Sequence, residues 1–224
     1  MLKGGIQMTK KISIPIMPVI IIVLAIIVVV MMLTRITKEE GSKLSKIYNK
    51  MIENQTYAFT RYNLEEKNKY IVYRKVDKTL IDMYNPGEHS STLVSDNDTY
   101  LISHENEEYY IYPNNNLDEE ILTDTLKEII DLEYVVGKEK VYGKNYKYEE
   151  YKGVSEFLIS APINIDVNSI RTRFYFEGKN LVYLKTIYNT MDEETKEFEE
   201  LQTVKVEYEV EDSVFKIPAN YAEN

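Results

Sequence analysis

Between Ile12 and Thr34 the chain carries no charged residue, and Val19 to Leu33 is an unbroken run of aliphatic residues and methionine. A helix of about 22 residues is roughly 33 Å long, enough for a hydrocarbon core of about 30 Å. The stretch therefore predicts one transmembrane anchor at 12–34. Pro15 and Pro18 fall in its first turns, where a missing amide hydrogen costs least. The apolar run passes straight into Met31, Met32, Leu33, Thr34 and Arg35 with no Ala-x-Ala site, so the segment reads as an uncleaved anchor. Lys10 and Lys11 precede it, Arg35 and Lys38 follow it, and the weak positive-inside bias puts residues 1–11 in the cytoplasm and 35–224 outside the cell membrane. Lys3-Gly4-Gly5-Ile6-Gln7-Met8 can be encoded by AAAGGAGG, a short spacer and ATG, so the expected start of translation is Met8.

Everything after the anchor has the balance of a soluble domain. All 37 acidic residues lie there with 24 of the 27 basic ones, a formal charge of about -13. Such a surface repels nucleic acid phosphates and anionic membranes. With no cysteine in 224 residues, disulfides, thiolate metal sites and cysteine nucleophiles are excluded. About 190 residues are enough for one large core without such staples.

The periodicity predicts a helix, strands, a second helix and more strands. Leu44, Ile47, Tyr48, Met51 and Ile52 recur at helical spacing. Six alternating runs follow, at 57–62, 70–76, 79–84, 90–95, 99–103 and 108–112, and read as an antiparallel meander. Asn85-Pro86-Gly87 and Asp96-Asn97-Asp98 supply turns between them. Leu117, Ile121, Leu122, Leu126, Ile129, Ile130 and Leu132 form a second helical stripe, with Asn116 and Glu119 placed as a capping box. Strand-like runs resume at 138–142, 146–152, 156–160, 170–177, 181–188 and 201–210, with a Gly178 hairpin and an acidic loop from Asp192 to Glu200. The expected class is α+β, an antiparallel incomplete β-barrel of about eleven strands with an N-terminal helix and a lid helix.

The segment from Gly137 to Tyr151, the hairpin from Phe174 to Tyr183 and the terminal Phe215-x-Ile217-Pro218-x-x-Tyr221 resemble the LolA-like lipoprotein-carrier superfamily over residues 40–222. Asn220 departs from the pattern, standing where a Gly precedes the final tyrosine. The resemblance implies a half-barrel holding lipid acyl chains in an apolar cavity beneath a helical lid. It points to Ile121, Leu122, Leu126, Ile129 and Ile130 of the lid, and to Phe174, Phe176 and Leu184 of the sheet, as cavity residues. A tethered carrier would hand lipid over locally or sense it.

Catalysis has no footing in the motifs: Gly-x-Ser-x-Gly, His-Glu-x-x-His, phosphate loops and dinucleotide fingerprints are all absent, and no cofactor is expected. His89 and His104, with Glu88, Glu105 and Glu107 nearby, match no recognised ligand spacing and read as strand-end histidines. Glu149 and Glu150 are neighbours on a strand and point to opposite faces, with at least one expected in solvent. Asp96-Asn97-Asp98 lacks the Gly and closing Glu of a calcium loop. Strands such as Arg173-Phe174-Tyr175-Phe176 put apolar groups on both faces, so the second face needs a cover. Three readings stand: a lipid-holding cavity, a filled core in a non-enzymatic module that binds an envelope protein or regulates a membrane signalling partner, and, third, a glycan or cell-wall binder.

Overall fold

The computed structural model describes residues 41–95, 98–113, 121–153, 167–190 and 197–224. The expected anchor, the Asn116 cap and the 156–160 run lie outside them. No helix among the described residues is long and apolar enough to cross a membrane.

Residues Ser42–Asn224 form one compact unit. Helix α1 spans Lys43–Asn54, and strands β1 (Thr56–Asn63), β2 (Lys69–Lys75), β3 (Lys78–Asn85), β4 (Glu88–Val94), β5 (Asp98–Ser103) and β6 (Glu108–Pro113) follow. Helix α2 (Ile121–Ile130) leads to β7 (Tyr134–Val141), β8 (Lys144–Lys152), β9 (Val167–Glu177), β10 (Asn180–Thr190) and β11 (Glu197–Glu207), then a 3₁₀ turn at Asp212–Phe215 and β12 (Ala222–Glu223). The class is α+β with one open sheet of twelve strands, in the order β12-β6-β5-β4-β3-β2-β1-β11-β10-β9-β8-β7. Every pair is antiparallel except β12 beside β6. Two meanders, β1–β6 and β7–β11, therefore meet where β1 pairs with β11, Phe59 opposite Val206.

The expected acidic loop from Asp192 to Glu200 is corrected at its end, since β11 already begins at Glu197 and Glu200 is buried within it. Glu200 stays inside because it accepts hydrogen bonds from Asn63 Nδ2 (2.9 Å), Gln202 Nε2 (2.6 Å) and Tyr188 Oη (3.3 Å). The Asn85-Pro86-Gly87 turn and the Gly178 hairpin stand as expected, with Gly87 and Gly178 at φ 85° and 62°.

One face of the sheet carries both helices. Leu44, Ile47 and Met51 of α1 and Leu126 and Ile129 of α2 share a buried cluster with Tyr57, Phe59, Val72, Tyr151, Phe174, Phe176, Leu181, Leu184 and Val204. Alternation alone would send Leu181 and Leu184 to opposite faces. A register shift between Leu181 and Tyr183 brings both inward, opposite Phe176 and Phe174. Ile52, the last apolar residue of the α1 pattern, is exposed.

The opposite face has two covers of a different kind. Over β2 to β6, Phe215 lies against Leu80, Leu93 and Ile102, with Ile217 and Tyr221 beside it. The terminal Phe-x-Ile-Pro-x-x-Tyr is thus the sheet's second cover. Over β7 to β11, tyrosines pack on one another beside an ion network in which Glu139 accepts from Lys185 Nζ (2.6 Å), Tyr175 Oη (2.6 Å) and Arg173 Nη1 (2.8 Å).

Burial alone would raise the Glu139 pKa, but those three donors outweigh it and hold the carboxyl below its ordinary 4.5. A depressed folded value means the stabilisation is complete above the unfolded value and is lost as pH falls through the folded one. Urea midpoints are expected to hold from neutral pH to about pH 5 and to drop below about pH 4, with Glu139→Gln flattening part of that drop. An unchanged acid profile in Glu139→Gln would remove this network from the account of acid stability.

Candidate functional site

Of the cavity residues expected from the sequence, Leu126, Ile129, Phe174, Phe176 and Leu184 are buried in the helix-face cluster, with Ile130 packed on its margin. Ile121 and Leu122 lie in α2, but their side chains are outside the described ones. The structure thus joins the α2 stripe to the floor formed by β9 and β10. Phe174 meets Tyr151 edge-on, with ring centroids 5.7 Å apart. Beneath the helices this floor is filled by the protein's own side chains.

The two adjacent glutamates do point to opposite faces, but neither is in solvent, contrary to expectation. Glu149 and Glu150 are 5% and 6% exposed. Glu149 sits under the N-terminus of α1 and accepts from the Lys43 N–H (2.6 Å), the Leu44 N–H (3.2 Å), Ser42 Oγ (2.8 Å) and Tyr151 Oη (3.1 Å). Ser42 Oγ in turn accepts from the Ser45 N–H as N-cap. A carboxylate at the positive end of a helix is doubly favoured. Glu150, on the other face, accepts from Arg173 Nε at 2.6 Å. What kept this hidden in the sequence is the separation of 106 residues between Lys43 and Glu149.

At one end of the apolar floor the lining turns polar. A cavity of about 170 Å³ is bounded by Arg61, Asn63, Asn68, Lys69, Tyr70, Met83, Asn85 and Gln202. Tyr70 belongs to both regions, packing on the apolar cluster and lying under the Arg61 guanidinium, 4.8 Å from its ring centre. Burial lowers the Arg61 pKa, with Tyr70 and Glu200 opposing, and pushes the Tyr70 hydroxyl up to about 12. Gln202 gives its amide to Glu200, and its Oε1 has no hydrogen-bond partner among the described residues. Guanidinium, ammonium and carboxamide groups together can hold a small anionic or polyhydroxylated group. Sequence reading missed this end because Arg61 and Gln202 look like ordinary solvent-facing strand positions.

No protein-family model matches the chain, and no curated protein matches it. Among solved structures, the crystal structure of an uncharacterized conserved protein from Thermus thermophilus is similar, at 11% identity and a TM-score of 0.44, over 82% of this chain and 99% of that one.

Proposed function

We propose that this is a membrane-anchored, extracytoplasmic, non-enzymatic domain of LolA-like half-barrel form that holds an amphiphile such as a lipid acyl chain, for local handover or sensing. The observation that carries the reading is the continuity of the helix face, an apolar floor under α2 ending in the polar cavity at Arg61. The first part matches an acyl chain in chemistry and the second a polar headgroup.

Chain reach supports a curled sheet. Ten strand steps separate β6 from β7, about 48 Å if the sheet were flat. The intervening 20 residues include ten in α2, so they span at most about 50 Å fully extended. That length leaves almost no slack for carrying α2 over the sheet surface, which favours a curl that brings the two edges closer. Because the floor is filled and the polar cavity is smaller than ligand pockets of about 300–1,000 Å³, a chain can enter only as the cluster that α2 shares with Phe174 and Leu184 opens.

Native mass spectrometry on residues 37–224, purified without detergent, tests this. The expected result is excess mass released on denaturation as lipid and lost in Leu126→Glu with the domain still folded. A bare mass unchanged by incubation with cell lipids overturns the reading. That outcome would favour a second one, an envelope-protein module with a filled core. Edge strand β7, where Val135 and Val136 are exposed, offers such a partner a strand to pair with.

A further inference from the structure

Both histidines of the chain stand in one cluster on the face away from the helices. Asp82 lies on β3 and His89 and Ser91 on β4, with Asp82 directly opposite Ser91, and His104 follows β5, its N–H bound to the His89 carbonyl. The imidazoles stack with centroids 3.7 Å apart at 12°, and Tyr84 stacks on the outer side of His89 at 3.9 Å. His89 Nε2 is 2.8 Å from Asp82 Oδ1, Ser91 Oγ is 2.7 Å from that same oxygen, and His104 Nε2 is 2.6 Å from Ser91 Oγ. Both Nε2 atoms are thus turned toward one carboxylate. The three donor atoms lie within 4.8 Å of one another. Glu105, one of the acids expected near the rings, accepts instead from the His89 backbone N–H.

From this geometry we infer that Asp82, His89 and His104 form a binding site for one divalent transition-metal ion of the zinc class. Two imidazole nitrogens and a carboxylate are a ligand set for such an ion, with the fourth position left to water or Ser91. In the metal-free network both rings carry their proton on Nε2: His89 donates to Asp82, His104 donates to Ser91, and Ser91 donates to Asp82. Binding moves each proton to Nδ1, freeing the Nε2 lone pairs, and no redox step is involved. For His104 the new position is already served, since Nδ1 lies 2.9 Å from Tyr221 Oη, which becomes the acceptor. A partner on the second ring nitrogen is the arrangement that fixes a ligating histidine. His89 has a side chain 28% exposed, so an ion can reach the cluster from solvent. Ligands about 2.0–2.2 Å from one ion stand about 3.3 Å apart, so closure needs donor atoms now up to 4.8 Å apart to converge by up to about 1.5 Å and the stacked rings to splay.

The test is calorimetric titration of the full chain in detergent micelles with ZnCl₂, paired with imidazole nitrogen NMR, where two histidines make assignment direct. Expected are one ion per chain, loss of both Nε2–H signals on binding, and affinity weakened at least tenfold in His89→Gln, in His104→Gln and in Asp82→Asn. Ser91→Ala, which leaves the three ligands in place, is expected to keep the site. Absence of binding at millimolar zinc overturns the inference, as does binding that leaves both imidazole spectra unchanged. The NMR criterion is read on the native chain and stands even if a variant fails to fold.

Discussion

Glu149→Gln is expected to lower the stability of the domain by about 2–4 kcal/mol, read as a shift in urea midpoint at constant slope. The carboxylate takes four donors, two of them the Lys43 and Leu44 amides that have no partner inside α1. The glutamine side chain keeps one acceptor oxygen and turns an NH₂ group against donors. At least the hydrogen bond from the Lys43 amide to Oε1 is then lost, charge-assisted in the native protein, and the NH₂ group is set against that N–H; the opposite orientation would lose the three bonds on Oε2. The favourable interaction of a negative charge with the helix N-terminus is lost as well. Ser42→Ala is the smaller companion change, expected to cost about 1 kcal/mol because Glu149 still holds the first turn. A loss below about 0.5 kcal/mol in Glu149→Gln would mean that the amide satisfies the same donors and that charge contributes nothing at this helix end.

Phe174→Ala is expected to cost about 3–5 kcal/mol, the usual range for a large ring removed from a filled interior. Phe174 is fully buried in the cluster to which α1 and α2 both contribute, edge-on to Tyr151 and opposite Leu184. Its neighbours come from several elements, so the space cannot collapse through one small movement. The same measurement bears on function. A filled floor gives the full loss, whereas a floor that stands open to a ligand would give a loss near 1 kcal/mol, because little packing would disappear with the ring. Should the variant be rescued by added fatty acid, the vacated space would be the place an acyl chain occupies.

Local chemistry explains why much of the fold could be read in advance. The α1 stripe, the β1–β6 runs, the Asn85-Pro86-Gly87 turn and the Gly178 hairpin each depend on residues within a few positions of one another. Leu126, Ile129, Phe174, Phe176 and Leu184 were legible as apolar positions, though alternation alone did not give their common face. The bulge near Val182 decides that for Leu184. Glu200, read as part of a solvated acidic loop, is buried because Asn63, 137 residues away, and Tyr188 supply its donors. Glu149 and Glu150 are likewise buried by partners from α1 and β9.

By itself the sequence determined the element types, the apolar stretch at 12–34, the acidic charge of the rest and the absence of thiol chemistry, since these follow from composition and short-range periodicity. Tertiary structure alone decided that β1 pairs with β11, that the C-terminal segment covers the β2–β6 part of the second face, and that His104 meets Ser91 and Tyr221 with Asp82 within 4.8 Å. The physical reason is that strand pairing is indifferent to separation along the chain. Backbone hydrogen bonds carry no address, and the register that brings distant polar groups together is fixed by the burial of whole faces.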